Sequence, residues 1–337
     1  MRTTIYDVAQ KAEVSMSTVS MVMNNKGSIS DATRKKVMKV LEELQFISSR
    51  SSIVLKKRHA YTVGLLIPNL ENPLFVEIAR NVCQRGHELG LSVVICNTEN
   101  DAEKEVQYIT RLKEKNLDGL ILAGGFENDA ILQEVVGEGL PIVLIGQNIP
   151  SLGVDSVHVD DCLGGYQVTE HFLSLGHQTI AVFAENTRSS KERLHGYRQA
   201  INDAGLEYNE SLVFVCDSTV SSKQLAKQIL GLSNRPTAIF ACNDLLAVGI
   251  MQGAKERGLR VPHDLSIIGF DNTILSRSID PPLTSVDQPI EEMGRQGIDL
   301  LVERIEGNEK TKRQVILFPK VIFRNSTKTH PILTSMS

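Results

Sequence analysis

The chain has 337 residues, and its 42% hydrophobic and 23% charged residues are typical of a folded protein with two or three domains, which excludes a miniprotein held together by disulfides or metals. No apolar run approaches the roughly 18 to 20 residues of a membrane span, and Arg2 and Asp7 place charge where a secretory signal would be apolar, so we expect a cytoplasmic protein that does not bind membranes. The five cysteines are widely spaced and form no C-x-x-C pair, which favours reduced thiols over a zinc site, and the net charge of -4 conceals two regions of opposite sign.

The first 60 residues are basic and the remainder is acidic. Residues 1–60 contain 11 Lys/Arg and 5 Asp/Glu, a net charge of +6, whereas residues 61–337 contain 25 and 35, a net charge of -10. A compact positive module on an acidic body suits a polyanion-binding head, because neutralising phosphates supplies most of the non-specific affinity for nucleic acid. Charge alone supports a solvated basic helix face equally well.

The first 47 residues predict three short helices. Thr4 as N-cap with Asp7 in the first turn predicts a helix over about 5–12, and Ser15 is expected to cap a second helix. In that second helix we expect Val19, Val22 and Met23 to be buried, and the outward positions include Met16, Ser17, Thr18, Ser20 and Met21. Ser30 or Asp31 is expected to cap a third helix with apolar residues at Val37, Val40, Leu41 and Leu44. This pattern indicates a helix-turn-helix DNA reader, with a small helical bundle that has no DNA role as the alternative.

Residues 48–59 are polar, serine-rich and basic, and we interpret them as a linker. Beyond them, apolar runs typical of buried strands alternate with longer helical stretches; the runs lie at 63–67, 93–96, 119–122, 142–145, 180–183, 213–215, 238–241 and 265–268. Continuous apolar strands separated by helices indicate parallel sheets covered on both faces. We therefore expect an α/β fold of two doubly wound parallel-sheet subdomains, preceded by the all-α head, with a ligand cleft at the carboxyl ends of the strands.

The sequence lacks the motifs of common enzyme chemistry. It contains no G-x-G-x-x-G after a strand, no G-x-S-x-G, no G-x-x-x-x-G-K-[ST] and no H-E-x-x-H. His158, Asp160 and Asp161 are close together, but either aspartate is suited to capping the next helix, so we expect no metal site. The chain is predicted not to be an enzyme and to need no cofactor.

Several short motifs together resemble one family. Residues 4–9 (TIYDVA) and 14–20 (VSMSTVS) are similar to the DNA-binding head of the lactose/galactose repressor (LacI/GalR) family, close to its catabolite-control and degradation-activator-like branch. The resemblance continues in the same order through 72–75 (NPLF), 175–177 (LGH), 193–197 (RLHGY), 243–244 (ND) and 269–272 (GFDN). It implies a periplasmic-binding-protein-like body and a homodimeric transcription regulator, in most cases a repressor, whose paired heads bind a pseudo-palindromic double-stranded DNA operator.

The resemblance also implies a domain organisation. We expect a helix-turn-helix DNA-binding domain at 1–47, a hinge or linker at 48–60, and an effector-binding and dimerisation core at 61–337. In that core, the N-subdomain is expected at about 61–159 and 291–319, and the C-subdomain at about 160–290 and 320–332. The dimer surface is expected to involve the helical stretches 75–89 and 290–305.

Individual head residues acquire roles by the same resemblance. The candidate base readers are Met16, Ser17 and Met21, and the candidate phosphate contacts are Thr4, Tyr6, Ser15, Thr18 and Asn24. Leu55 stands where two paired hinge helices of the family insert a leucine into the minor groove.

Three departures from the family pattern have consequences. Most relatives have arginine in place of Met21, and a thioether cannot pair bidentately with guanine, so we expect the operator to differ at that base pair. Glu13 replaces a common turn glycine, so a left-handed backbone there would be strained. The hinge has Ser48, Ser49 and Ser52 at places usually held by proline, asparagine and alanine, and we expect it to become helical only on DNA.

Seven body residues match the family's sugar-contacting positions: Asn72, Phe75, Gln147, Arg193, Asn243, Asp271 and Gln288. A carboxylate that accepts from hydroxyls and a guanidinium that donates in a fork suit a small polyol, and the resemblance implies a sugar or a sugar phosphate as effector. Asn243 as a helix cap and Asp271 as a turn anchor are the structural alternatives.

Two other modes of action remain open from the sequence. Relatives in the catabolite-control branch use a phosphorylated carrier protein as partner, although Glu291 and Glu292 would repel a phosphate. The second alternative is an α/β solute-binding or enzymatic core fused to a basic head.

Overall fold

The computed structural model describes residues 4–23, 29–44, 60–126, 129–307 and 311–330. The chain divides into two compact units, residues 1–62 with 116–118 and residues 63–115 with 119–337. The predicted linker 48–59 lies outside the described residues. The side chain of Met23 is likewise not described.

The head consists of the three predicted helices, α1 (Ile5–Ala12), α2 (Met16–Met23) and α3 (Asp31–Glu43). Thr4 and Asp7 form a reciprocal capping box at the start of α1, in which Asp7 Oδ2 accepts from Thr4 N at 2.7 Å. Ser15 Oγ accepts from Thr18 N at 3.0 Å at the start of α2, and Ser30 Oγ accepts from Thr33 N at 3.2 Å at the start of α3. The three helices pack around a small apolar core that comprises Val8, Ala9, Ala12, Val19, Val22, Val37 and Val40.

Glu13 closes α1 in the left-handed conformation, with φ 52° and ψ 43°. The sequence predicts strain at Glu13 if its backbone is left-handed, and the structure shows that left-handed backbone. Lys36 Nζ lies 2.6 Å from Glu13 Oε2, but both side chains are exposed, so the ion pair contributes little. The turn of the head therefore adopts a glycine-like geometry without glycine.

The first lobe of the body is built on a six-stranded sheet. In chain order its strands are β1 (Thr62–Ile67), β2 (Ser92–Asn97), β3 (Gly119–Ala123), β4 (Ile142–Ile145), β5 (Asp155–Val159) and β11 (Gln314–Leu317). Their spatial order is β11-β5-β4-β3-β1-β2, and the β1–β3, β3–β4, β4–β5 and β5–β11 pairs are parallel.

The second lobe repeats this plan. Its strands are β6 (Ile180–Ala184), β7 (Val213–Val215), β8 (Ala238–Ala241), β9 (Ser266–Asp271), β10 (Thr284–Asp287) and β12 (Lys320–Ile322), in the spatial order β12-β10-β9-β8-β6-β7. All registered pairs are parallel except β10–β12, which is antiparallel. The expected fold of two doubly wound, mainly parallel sheets, preceded in the chain by a helical head, is confirmed.

Nine helices of the described body cover the two sheets. They are α4 (Pro73–Glu88), α5 (Ala102–Glu114), α6 (Asp129–Gly137), α7 (Asp161–Ser174), α8 (Arg188–Asp203), α9 (Thr219–Ile229), α10 (Asp244–Glu256), α11 (Ile274–Ser278) and α12 (Ile290–Ile305). In the described ranges, none is long and apolar enough to cross a membrane.

Helix α12 follows the second lobe in the chain but packs on the first. Ile298 and Leu301 are buried in the same core as Leu65 and Ile121, and Gly294 lies so close to α4 that a Cβ there would be 2.7 Å from Asn81 Cβ. The chain thus crosses between the lobes after β5, before α12, and between β11 and β12. The exact limits proposed for the domains and subdomains stay a prediction.

Seven of the eight predicted apolar runs lie within strands and the eighth, 265–268, begins one residue before β9, but β5, β10, β11 and β12 were not among the predicted runs. The strands β11 and β12 are short, partly exposed strands at the sheet edges, whereas β5 and β10 contain polar residues that the fold buries with partners. In β10, Thr284 N donates to Ser326 Oγ at 2.8 Å, and Ser285 Oγ donates to Asp244 Oδ1 at 2.7 Å. In β5, Asp155 pairs with Arg304 at 2.5 Å. A search for apolar runs misses strands of this kind.

Candidate functional site

The outward face of α2 carries the three candidate base readers. Met16 and Met21 are 52% and 37% exposed, and Ser17 is exposed beside them, whereas Val19 and Val22 on the other side of the helix are buried. Exposed thioethers on a hydroxyl-rich helix provide apolar contact surface for a base edge but no bidentate donor. Met16, Ser17 and Met21 therefore share the exposed face of α2, and their role as base readers stays a prediction.

The candidate phosphate contacts lie at the two helix starts. Thr4 and Tyr6 are exposed at the start of α1, and the Ser15 hydroxyl lies 2.6 Å from that of Ser17 and 2.8 Å from that of Thr18 at the start of α2. Helix N-termini present free backbone N–H groups and favour anions. Asn24 and Leu55 lie outside the described residues, and their roles stay predictions.

Five of the seven candidate effector residues end a strand or lie in the segment that follows one, whereas Phe75 lies in α4 and Arg193 in α8; the five are Asn72, Gln147, Asn243, Asp271 and Gln288. Asn72 caps α4, with Oδ1 accepting from Leu74 N at 3.0 Å. Phe75, in the first turn of α4, packs on Gly124 after β3: a Cβ at Gly124 would lie 2.5 Å from Phe75 Cε1, and the φ of Gly124 is +85°. Only glycine allows the ring this position.

Gln147 follows β4 and is 5% exposed. Neither its Oε1 nor its Nε2 has a hydrogen-bond partner among the described residues. Burying an amide without partners costs about 1–3 kcal/mol. Such a side chain is a candidate for a polar contact with a ligand.

Arg193 of α8 is the centre of the second-lobe cluster. Its Nε donates to Asp161 Oδ1 at 2.7 Å, its Nη1 donates to the Cys242 carbonyl, and its guanidinium lies 3.6 Å above the ring centroid of Phe270. Nη1 also lies 3.9 Å from Asp271 Oδ1. Burial lowers the pKa of Arg193, but Asp161 and Asp271 more than offset this effect and leave the pKa raised.

Asp271 ends β9 in an unusual backbone conformation. Its φ is +101°, and its Oδ1 accepts from Gln288 Nε2 at 2.6 Å. Burial raises the pKa of this carboxyl well above its ordinary value, Arg193 opposes the shift, and the neighbouring carboxyl of Asp244 adds to it. A strained aspartate with a perturbed pKa at the end of a strand is typical of a functional position.

Asn243 has the capping role considered from the sequence, and its role as a ligand contact stays a prediction. Its Oδ1 caps α10 by accepting from Leu246 N at 2.7 Å, and its Nδ2 donates to Glu185 Oε2 at 3.0 Å. Glu185 directly follows β6. Burial raises the pKa of Glu185, and Arg193 and the hydrogen bond from Asn243 oppose the shift.

Sequence reasoning did not identify Asp161 and Glu185 as site residues. It treated Asp160 and Asp161 as alternative caps of α7. Asp160 is the cap, accepting from Leu163 N at 2.9 Å, and Asp161 is the partner of Arg193, which lies 32 residues further along the chain. No local sequence pattern predicts a pair between residues so far apart in the chain. A buried arginine in a cleft does, however, require a carboxylate from somewhere.

The described residues contain no group of three or more His, Cys, Asp and Glu that could hold a metal ion. His158 Nδ1 is buried without a hydrogen-bond partner in the described part of the chain, and burial lowers the pKa of this imidazole. The cluster around Arg193 offers donors and acceptors that suit hydroxyl groups.

The loops at the two carboxyl edges approach each other across the cleft. Arg188 at the start of α8 and Asp129 at the start of α6 form an ion pair of 2.8 Å between the lobes. A small polar molecule enclosed there would meet residues of both sheets.

A helix-turn-helix head followed in the chain by a two-lobed α/β body defines the class of ligand-responsive transcription regulators. The sequence profile described as "Bacterial regulatory proteins, lacI family" matches residues 4–49, and that of a periplasmic binding protein-like domain matches residues 169–327. The chain is 43% identical to the HTH-type transcriptional regulator DegA of Bacillus subtilis, over 97% of this chain and 98% of that protein.

Solved structures agree with this assignment. The lac repressor dimer bound to operator and the anti-inducer ONPF has a TM-score of 0.79 at 28% identity and covers 97% of this chain and 100% of its own. The complex of the transcriptional regulator CelR with cellobiose has a TM-score of 0.74 at 30% identity, covering 96% of this chain and 100% of that one. The chain belongs to the lacI family. It is a DNA-binding transcription regulator, and the predicted family and non-enzymatic function are confirmed.

Proposed function

We propose that the chain acts in the cytoplasm as a homodimeric repressor of a pseudo-palindromic operator, and that a small sugar-like effector in the interlobe cleft controls its affinity for DNA. The observation that carries the effector part is the polar cluster of Arg193, Asp271 and Gln288 at the carboxyl edge of the second sheet. It faces a first-lobe edge at which Gln147 has a buried amide without partners in the described structure.

On the DNA side, Met16, Ser17 and Met21 read base edges, and Thr4, Tyr6, Ser15, Thr18 and Asn24 contact phosphates. Leu55 enters the minor groove. The exposure of the described members of this set and the net charge of +6 over residues 1–60 support the assignment. A dimer reads two half-sites of opposite orientation because its two heads are related by symmetry.

The dimer contact uses the first lobe around α4 and β2. Val76, Val94 and Ile95 are exposed there, at 40% to 45% of their surface. A second copy of the chain would remove these side chains from water, which is favourable. The apolar stripe of α12, by contrast, is already used within the chain against α4 and the first sheet.

In the cleft, the residues offered to a ligand are Asn72, Phe75, Gln147, Arg193, Asn243, Asp271 and Gln288. Carboxylate, amide and guanidinium groups together bind both the donor and the acceptor side of hydroxyl groups, and Phe75 offers an apolar ring face. The family neighbour CelR was solved with cellobiose, which agrees with a polyol in this place. An effector that binds one arrangement of the two lobes more tightly than the other shifts the protein towards that arrangement. This shift changes the separation of the two heads and therefore the affinity for DNA.

Control by a phosphorylated carrier protein is the second candidate, suggested by the resemblance alone. Glu291 and Glu292 on α12 are exposed and would repel a phosphate. The second alternative from the sequence, an α/β solute-binding or enzymatic core fused to a basic head, disagrees with the full-length relatives, which are transcription regulators.

The test is operator binding in the presence of cleft ligands. Labelled duplexes selected by the full-length chain are titrated at physiological salt, with and without a panel of mono- and disaccharides. We expect saturable binding that at least one sugar shifts, and loss of that shift in Gln147→Ala with operator binding retained. Binding that no sugar alters, together with an unaltered response of the variant, would contradict the effector assignment.

A further inference from the structure

The cleft contains more carboxylates than cations. Three carboxylates, those of Asp161, Glu185 and Asp271, surround the single guanidinium of Arg193, which is within 4 Å of two of them. Asp244 lies behind Asp271, where it accepts from Thr273 N at 2.7 Å. Raised pKa values reduce the charge of Asp244 and Asp271, and Arg324 acts on Asp244, but ionised Asp161 and Glu185 still outnumber the guanidinium of Arg193 within this described cluster.

Arg193 is not available as a free anion site. Its Nε is taken by Asp161 and one Nη by the Cys242 carbonyl, and its flat face rests on Phe270. A guanidinium that is already paired and stacked retains only one nitrogen for a ligand, which suits a hydroxyl group and not the bidentate recognition of a phosphate.

Asn243 fixes the carboxylate of Glu185 through one of its two oxygens. Oε2 accepts from Asn243 Nδ2 at 3.0 Å, and Asn243 is itself fixed as the cap of α10, so the carboxylate is held in place. In the described ranges no other hydrogen bond reaches Glu185, and its side chain is half-buried. Nearby Asp217 adds further negative charge, since it raises the pKa of Glu185.

Gln147 gives an independent indication that a polar ligand belongs here. It is 5% exposed, and both atoms of its amide lack partners among the described residues. Its place after β4 puts it at the carboxyl edge of the first sheet. A ligand that enters the cleft would satisfy this amide.

Resting on the proposed function, we infer that the effector is a sugar-like polyol with a protonated amine, and that Glu185 is the residue that selects the amine. The ammonium group donates to Glu185 and supplies the missing positive charge. The hydroxyl groups are bound by Asp271, Gln288 and Gln147. A sugar phosphate is rejected, because its charge would meet three carboxylates and an arginine that is already paired.

The experiment compares matched ligands on the full-length chain. D-glucose, D-glucosamine and D-glucose 6-phosphate, and the same three derivatives of D-galactose, are titrated by calorimetry and followed by thermal shift. We expect the amino sugar of at least one series to bind about tenfold more tightly than its neutral parent, since charged hydrogen bonds are stronger than neutral ones. The 6-phosphates should not bind.

Two variants locate the selectivity. Glu185→Gln keeps the hydrogen bond acceptor for Asn243 and removes the charge, so the amino sugar and the neutral sugar should bind it equally. Glu207→Gln removes an exposed glutamate of the same lobe and should keep the preference. Preference for the amine that survives in Glu185→Gln would overturn the role of Glu185.

The outcomes also separate this inference from the proposed function. Tightest binding by a neutral sugar or a 6-phosphate, or operator binding that no amino sugar influences, would overturn the amine inference and leave an effector-controlled repressor intact. Failure to bind any operator would instead remove the proposed function itself.

Discussion

Arg193 Nε donates to Asp161 Oδ1 at 2.7 Å, and the two side chains are only 7% and 8% exposed. The pair joins the first residue of α7 to the middle of α8. Because Asp271 shares the same guanidinium, removal of the arginine would leave two buried carboxylates without a cation.

We predict that Arg193→Ala lowers the free energy of unfolding by about 3–5 kcal/mol, because it strands buried charge. Urea unfolding with an unchanged slope measures the loss. Arg198→Ala, an exposed arginine on the same helix, is the control and should cost much less. The double variant Arg193→Met with Asp161→Leu should recover part of the loss. Equal effects of the two arginine substitutions would contradict the assigned pairing.

A second prediction concerns the pH dependence of stability. Burial raises the pKa of Asp244 to about 6 from the ordinary value of 3.8, although Ser285 and Thr273 donate to it. A carboxyl whose pKa is higher in the folded protein binds its proton first in the folded state, so its contribution is present at low pH and is lost as the pH rises through 6. Asp244 should therefore add about 1 kcal/mol at pH 5 relative to pH 7.

The measurement is urea unfolding from pH 5 to pH 7 for the natural chain and Asp244→Asn. The buried imidazole of His177, whose pKa burial lowers, destabilises the protein as the pH falls, but it does so in both proteins and cancels in the difference. The gain towards pH 5 should be smaller in the variant. Parallel pH profiles would show that Asp244 does not titrate in this range.

The sequence was sufficient to predict those strands whose buried residues form a continuous apolar run. It was insufficient for β10, because Thr284 and Ser285 are polar residues made compatible with burial only by Ser326 and Asp244, which are distant in the chain. The same reason explains the site. Arg193 and Asp271 belong to motifs that the sequence shows. Glu185 and Asp161 could not be predicted, because they become part of the site only through contacts with residues distant in the chain.

A third prediction tests base reading by α2. Met21→Arg should create a preference for guanine at one position of each half-site, worth about 1–3 kcal/mol of discrimination. Selection of operator variants from a randomised duplex pool measures it. Met38→Arg adds the same charge on α3 at a similar exposure, 38% against 37%, and should raise non-specific affinity without changing the selected sequence. Identical selected sequences for all three proteins would remove Met21 from the groove.

A fourth prediction concerns the hinge, which is known here from the sequence only. Leu55→Ala should lower both operator affinity and the bend angle of the bound DNA, because an apolar wedge that separates two base steps is lost. Electrophoretic mobility of circularly permuted fragments reports the bend. Val54→Ala, one residue away, is the matched control. Unchanged operator affinity and an unchanged bend angle in Leu55→Ala would show that Leu55 does not act as a wedge in the minor groove.

The most direct test of the central claim is the stoichiometry of the full-length chain on a duplex that it has itself selected, measured by sedimentation together with footprinting. A homodimeric operator-binding regulator should show two chains on one protected sequence whose halves are related by approximate two-fold symmetry. A single chain on the duplex, or no protected sequence in the whole selected pool, would contradict it.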